Sequence, residues 1–170
     1  MIDPAFCQLL ARYNRWMNER LFATTGALTE RERTLDRGAF FGSIQRTLAH
    51  ILWGDRTWLG RFTGQPHGVA AFGADAHPDW ASLAAERERA DRDILAWAGS
   101  VDAGWLASSL EYRAASDGRR RSMPAWVAAT HLFQHATHHR GQVTTLLKQA
   151  GADPGVTDLP YLPGIVQLLD

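Results

Sequence analysis

Apolar side chains return every three or four residues in four separate stretches of this chain, and that spacing admits one kind of element, the amphipathic helix. The first stretch puts Phe6, Leu9, Leu10, Tyr13, Trp16, Met17 and Leu21 on one stripe. Asp3 and Pro4 before it suit an N-cap and a first turn. The second, capped by Ser43, carries Ile44, Leu48, Ile51, Leu52, Leu59 and Phe62. The third carries Trp80, Leu83, Ala84, Ile94, Leu95 and Ala98, with many charges on its other faces. The fourth is predicted over 124–149, started by Pro124 and stopped by Gly151.

The connections read differently. Thr29 with Glu32 forms a capping-box pattern that predicts a short polar helix. "TGQPHGVAAFGADAHPD" (63–79) is rich in Gly, Pro and small residues and reads as a loop. "WLASSLEYRAASDGRRRSM" (105–123) loses the helical period, and its Ser116-Asp117-Gly118 turn predicts a small β-hairpin. The tail holds three prolines and reads as an irregular segment on the body. The expected fold is therefore all-α, a four-helix bundle with a long crossover before the last helix, the crossover carrying the hairpin. With no repeat and no linker, residues 1–170 are expected to form a single domain.

Composition narrows the function classes. Eighteen basic side chains balance eighteen acidic ones, which argues against broad nucleic-acid binding. A lone cysteine, Cys7, cannot form an internal disulfide. No apolar run approaches the roughly 20 residues of a membrane span, and no secretory h-region opens the chain. A cytoplasmic protein without membrane or nucleic-acid partners is expected.

The segment "QHATHHRGQ" (134–142) concentrates three of the seven histidines. Placed on a helical wheel at about 100° per residue, Ala128, Leu132, Ala136, Val143, Leu146 and Leu147 share one arc. His135 and His139 land at its edge, one turn apart, whereas His138 points to the wet side and His131 sits near the border. Two histidines at i and i+4 can reach one cation, although the same spacing also suits hydrogen-bonded core histidines. His67 and His77 fall in the predicted loop. His50 lies mid-helix, off the main apolar stripe beside Thr47 and Gly54, small neighbours that let another helix or a ligand come close. Periodicity makes His50 a candidate and no more. Asp55 falls inside the apolar stripe about 140° from His50, which points to a structural pair with Arg or a buried Asn or Trp donor rather than a shared ion. Asn14, Arg15 and Asn18 are its expected partners.

The blocks "ARYNRWMNERL", "SIQRTLAHILWGDRTWL" and "HLFQHATHHRGQVTTLLKQAG", in that order and spacing, resemble the DinB-like proteins, four-helix bundles regarded as metalloenzymes. The resemblance covers nearly the whole chain. It implies a three-histidine metal site made of His50, His135 and His139, the last directly before Arg140-Gly141-Gln142. It also implies dimerisation through bundle helices, and some relatives are thiol-dependent transferases or isomerases. The family name refers to DNA-damage induction rather than to DNA binding.

Three neutral imidazoles leave a divalent ion open positions for water or substrate, an arrangement that leans catalytic rather than structural. Ala136 follows His135, so the H-E-x-x-H general base of zinc peptidases is absent, as are a Gly-rich phosphate loop and a G-x-S-x-G elbow. Imidazole suits zinc, nickel, copper or iron, with zinc or nickel favoured partly through the resemblance. Candidates near the site are Trp53, Asp55, Trp58, Arg140, Gln142 and Tyr161. Two readings follow. One is a metal-dependent enzyme on small molecules, a thiol S-transferase using a low-molecular-weight thiol; the other is a non-catalytic metal-binding stress-response bundle protein. A deep pocket lined by cationic groups beside the triad would favour the first, a shallow or plugged site the second.

Overall fold

A computed structural model describes residues 2–65, 79–115 and 117–167. Each predicted start signal is used. Asp3 accepts from the Phe6 amide at 2.8 Å and opens α1 (Pro4–Gly26). Thr29 and Glu32 cap each other at the head of α2 (Glu30–Thr34). Ser43 accepts from the Arg46 amide and opens α3 (Ile44–Thr63), and Asp79, read in the sequence only as the end of a loop, caps α4 (Trp80–Ser100) by accepting from the Ser82 amide. Pro124 takes the cap position of α6 (Ala125–Gln149), which ends before Gly151 in the left-handed region at φ 78°. Each side-chain cap satisfies an amide that the helix itself leaves open.

Between α4 and α6 lie a short helix, α5 (Ala103–Ala107), and the predicted hairpin. Strand β1 (Ser109–Arg113) pairs antiparallel with β2 (Arg120–Pro124), Glu111 standing opposite Ser122 and Tyr112 opposite Arg121. The helix α5 falls in the stretch whose loss of periodicity hid it; Asp102, accepting from the Trp105 amide, was its local signal. His67, His77 and Ser116 lie outside the described residues.

The four long helices form the bundle. Helix α6 packs against α3 and α1, and α4 packs against α1 and α3. Thus α1 and α3 sit on one diagonal, and α4 and α6 on the other. The α5–hairpin segment crosses one diagonal and the α2 segment the other. The tail runs along α1, where Tyr13 donates to the Thr157 carbonyl at 2.5 Å and Arg20 to that of Pro154 at 3.1 Å. A single-turn 3-10 segment, Leu159–Tyr161, lies within it.

Two apolar clusters fill the interior. One gathers Phe62, Ile94, Trp97, Leu106, Leu132 and Phe133 towards the hairpin, and the other Leu21, Ile44, Leu48, Leu83, Val143 and Leu147. At or near their junction each of the four long helices contributes buried polar groups: Asn14 and Asn18, Asp55, Arg87 and Asp91, and Arg140. Asp55 pairs with Arg87 at 2.7 Å, Arg87 with Asp91 at 2.9 Å, and Asn18 donates to Asp91 at 2.9 Å. The expected pairing of Asp55 with an arginine holds, but the arginine is Arg87 on α4 rather than a residue of α1. Helix α1 is diagonal to α3, so neither Asn14 nor Arg15 pairs with Asp55. Asn18 reaches the network only through Asp91, and Arg15 instead pairs with Glu19. Two of the α4 charges assigned to its outer faces, Arg87 and Asp91, therefore point inward.

Breaking one partner of a buried ion pair leaves an uncompensated charge, at a cost of about 3–5 kcal/mol. Asp55→Ala should lose stability on that scale in urea denaturation, whereas the triple variant Asp55→Leu/Arg87→Met/Asp91→Leu, which removes all three charges of the network, should recover most of it. Equal losses in both would show that the apolar volume, not the pairing, matters at this junction.

Candidate metal centre

Histidine 50 and Gly54 lie one turn apart on the face of α3 that meets α6, and His135 and His139 one turn apart on the facing side of α6. The approach of the two helices is close at one point. A Cβ built on Gly54 would lie 2.6 Å from Cε1 and 2.9 Å from Nδ1 of His135, inside contact distance. Only glycine leaves room for that imidazole.

The structure brings His50, His135 and His139 together. The Nε2 atoms of His50 and His135 are 3.1 Å apart, and one ligand atom from each of the three rings lies within 4.8 Å of the others. These rings are close enough to converge on one ion. The Nδ1 of His139 is 2.8 Å from Oε1 of Gln142; donation from that nitrogen leaves Nε2 as the lone-pair donor. Phe41 stacks on His50 with ring centroids 3.9 Å apart and meets His139 edge-on. His138, the neighbour assigned to the wet side, is exposed.

Burial makes these imidazoles poor bases. The pKa of His50 falls to about 4, through desolvation and then the neighbouring His139. That of His135 falls to about 3, through desolvation and then the other histidines. Desolvation also lowers His139, against its bond to Gln142. Neutral rings at pH 7 are the form that a metal ligand requires. The donor set therefore fits a divalent ion, with three nitrogens and no carboxylate among the described residues that line the space around it.

That space is a pocket of about 560 Å³. The three histidines lie along it together with Trp53, Trp58, Tyr112 and two arginines, Arg61 and Arg121. His131, placed near the border by the wheel, is exposed and joins the wall, its ring 4.9 Å from that of Trp58. Trp53, Trp58 and Gln142 thus line the pocket as proposed, whereas Asp55, Arg140 and Tyr161 do not. Asp55 is committed to Arg87. Arg140, one residue beyond His139, is turned about 100° away and is buried against Asn14 and Thr137. Tyr161 stands exposed in the tail.

Arg61, Tyr112 and Arg121 were missed. Arg61 had a readable signal, since it follows His50 by eleven residues, which is three helical turns on the same face. The other two depend on hairpin register, which composition does not specify.

The sequence matches the DinB family over residues 1–165. The chain belongs to the DinB family. It is 27% identical over 165 residues to Protein DinB of Bacillus subtilis (strain 168), an alignment that covers 93% of this chain and 92% of that protein. A crystal structure of a DinB-like protein from Bacillus cereus ATCC 10987 has the same fold, with a TM-score of 0.59 at 19% identity over 83% of this chain and 91% of the other. The helical bundle with its small antiparallel hairpin is thus a DinB-like architecture. No helix among the described residues is long and apolar enough to cross a membrane.

In metal-free protein, NMR titration should find His50 and His135 neutral until about pH 4 and about pH 3. The unfolded chain takes up those protons near pH 6.5, so stability should be lost as pH falls from there towards the folded values. Titration of both rings near 6.5 would show that they are not desolvated.

Proposed function

We propose that His50, His135 and His139 bind one divalent ion, zinc or nickel, and that the protein is a metal-dependent enzyme acting on small molecules, in the form of a thiol S-transferase. The observation that carries this reading is the pocket of about 560 Å³ beside the triad, walled by aromatics and bearing two arginines. Its volume is that of small-molecule sites in general. A shallow or plugged site would favour the non-catalytic reading, and the open pocket beside these histidines supports the enzyme instead.

A divalent ion on three imidazoles would supply a Lewis acid that lowers the pKa of a bound thiol or water. The chain's own residues do the rest. Gln142 fixes the ring of His139, Gly54 admits that of His135, and Phe41 covers His50. Trp53 and Trp58 offer apolar walls that exclude water from an organic electrophile. In the transfer, the thiol releases its proton to solvent, sulfur bonds to the electrophilic carbon, and the leaving group departs with the bonding pair. A cytoplasmic location fits a low-molecular-weight thiol as cosubstrate. We also propose a homodimer formed through bundle helices, the closed two-fold form that family membership suggests.

Purified protein should hold close to one divalent ion per chain. His135→Ala and His139→Ala should bind it far more weakly, and His138→Ala should not. Gly54→Ala, which pushes on His135, should weaken binding by about 10–100-fold. Gly141→Ala, with nothing within 4 Å of its Cβ, should not. Thiol consumption with a model electrophile, screened across glutathione, bacillithiol and mycothiol, should require the metal and vanish in His50→Ala while the helical circular dichroism persists. Metal-loaded protein that accelerates no thiol would leave the non-catalytic reading standing. Light scattering at micromolar concentration should give twice the chain mass of 18.9 kDa, and a purely monomeric signal would refute the dimer.

A further inference from the structure

The end of the pocket remote from the histidines has its own chemistry. Arg61 lies over two rings at once, its Cζ 4.3 Å from the centroid of Trp58 and 4.5 Å from that of Tyr112. One of its five donors reaches the Arg113 carbonyl, at 3.3 Å. Among the described residues no carboxylate pairs with it. Desolvation opposes its charge, an effect that Tyr112 offsets and Arg121 adds to. Arg121, exposed on β2, lines the same pocket and pairs with Asp117 at 2.9 Å. No Asp or Glu lies among the described residues that line the pocket, so no carboxylate of its wall meets Arg61, while Arg121 has Asp117 as its partner from outside that wall.

A partly desolvated arginine laid over two aromatic rings that touch each other is positioned for bidentate contact with an oxyanion, since those contacts already restrict its rotamers. We propose that Arg61, assisted by Arg121, is an anion subsite that binds a carboxylate or phosphate group of the molecule occupying the pocket, and so selects anionic substrates. This rests on the reading of the pocket as a small-molecule site, and it sharpens the substrate class. His50 and Arg61 are roughly 16 Å apart along the axis of α3. The Arg61 side chain leans back towards the helix N-terminus, which leaves on the order of 10 Å between the histidines and the anion. The fitting ligand is elongated, with a donor head at the triad, an apolar middle against Trp58, and an anionic end at Arg61.

Two binding measurements test this, neither of them an activity assay. In metal-free protein, naphthylacetate should quench tryptophan fluorescence at concentrations about 10–100-fold lower than naphthylethanol, the scale of one charge-assisted contact. Arg61→Gln should erase that preference, Arg61→Lys should keep part of it, and the exposed Arg121→Gln should reduce it by a smaller factor. The last variant keeps the test valid where Arg61→Gln lowers helix content. In cobalt-loaded protein, titration of mercaptopropionate, mercaptohexanoate and mercaptoundecanoate against the matching mercaptoalcohols should show tighter binding of the acids. A length optimum says that one molecule spans both ends. A uniform preference says that the anion arrives on a second molecule, and both patterns support the subsite if they depend on Arg61. Equal binding of acid and alcohol, or a preference unchanged in Arg61→Gln, overturns the proposal. Thiols that leave the cobalt spectrum unchanged would count against the metal–thiol reading alone, because the metal-free measurement still decides the subsite.

Discussion

Helices α3 and α6 meet where the backbone of Gly54 faces the imidazole of His135, with no space between them for a methyl group. That contact fixes the separation of the two helices, and the rest of the centre follows from it. With His135 seated against α3, its Nε2 falls beside that of His50, and His139, one turn further along, completes the triangle. Farther apart, the same three histidines would stand as isolated side chains in the wall of a groove. A closer approach is excluded by the ring itself.

The same helices hold the bundle together through the next residue in each case. A step of about 100° separates Gly54, which faces α6, from Asp55, which turns to Arg87 on α4. An equal step separates His139, in the pocket, from Arg140, buried against Asn14 on α1. Each helix thus directs one residue to the site and its neighbour to the polar junction between the two apolar clusters. Buried ion pairs of this kind add little net stability over an apolar core, because desolvation offsets much of their attraction. Their directional bonds do restrict how one helix can rotate against another. Rotation of α3 that carried His50 away from the triad would also pull Asp55 off Arg87, so the core network and the histidine cluster constrain the same degree of freedom.

Local signals were legible in the sequence. Helix caps at Asp3, Thr29 and Ser43 act over three residues, and the wheel needs only one helix to separate His139 from His138. Relations between helices were not. The partner of Asp55 depended on which helix adjoins α3, and a wheel carries no information about neighbours. Arg140 adjoins His139 in sequence, yet a step of about 100° turns it towards Asn14 on α1. Tyr161 lies in a tail whose path no periodicity describes. His50 remained open on periodicity alone, because it lies off the stripe that packs the core; only the resemblance joined it to the fourth helix. The aromatic and cationic half of the pocket rests on the register that sets Tyr112 opposite Arg121, a cross-strand relation that a weak turn signal does not encode.

Charge links the two ends of the pocket. Three imidazoles kept neutral by burial do nothing to offset a divalent cation, unlike a donor set that contains a carboxylate or thiolate. The wall adds Arg61 and Arg121 and, among the described residues, no acidic side chain, with Asp117 offsetting Arg121 from outside it. With an ion seated, the cavity carries an excess of positive charge in a partly desolvated space, where electrostatic interactions are stronger than in water. Negative charge from the occupant is then the missing complement, and two separate places call for it: the open face of the ion and the guanidinium held over Trp58 and Tyr112. A thiol that ionises on binding supplies the first, and a carboxylate or phosphate the second. A neutral molecule of the same shape would leave both uncompensated, so on the proposed reading the pocket would discriminate by charge before shape.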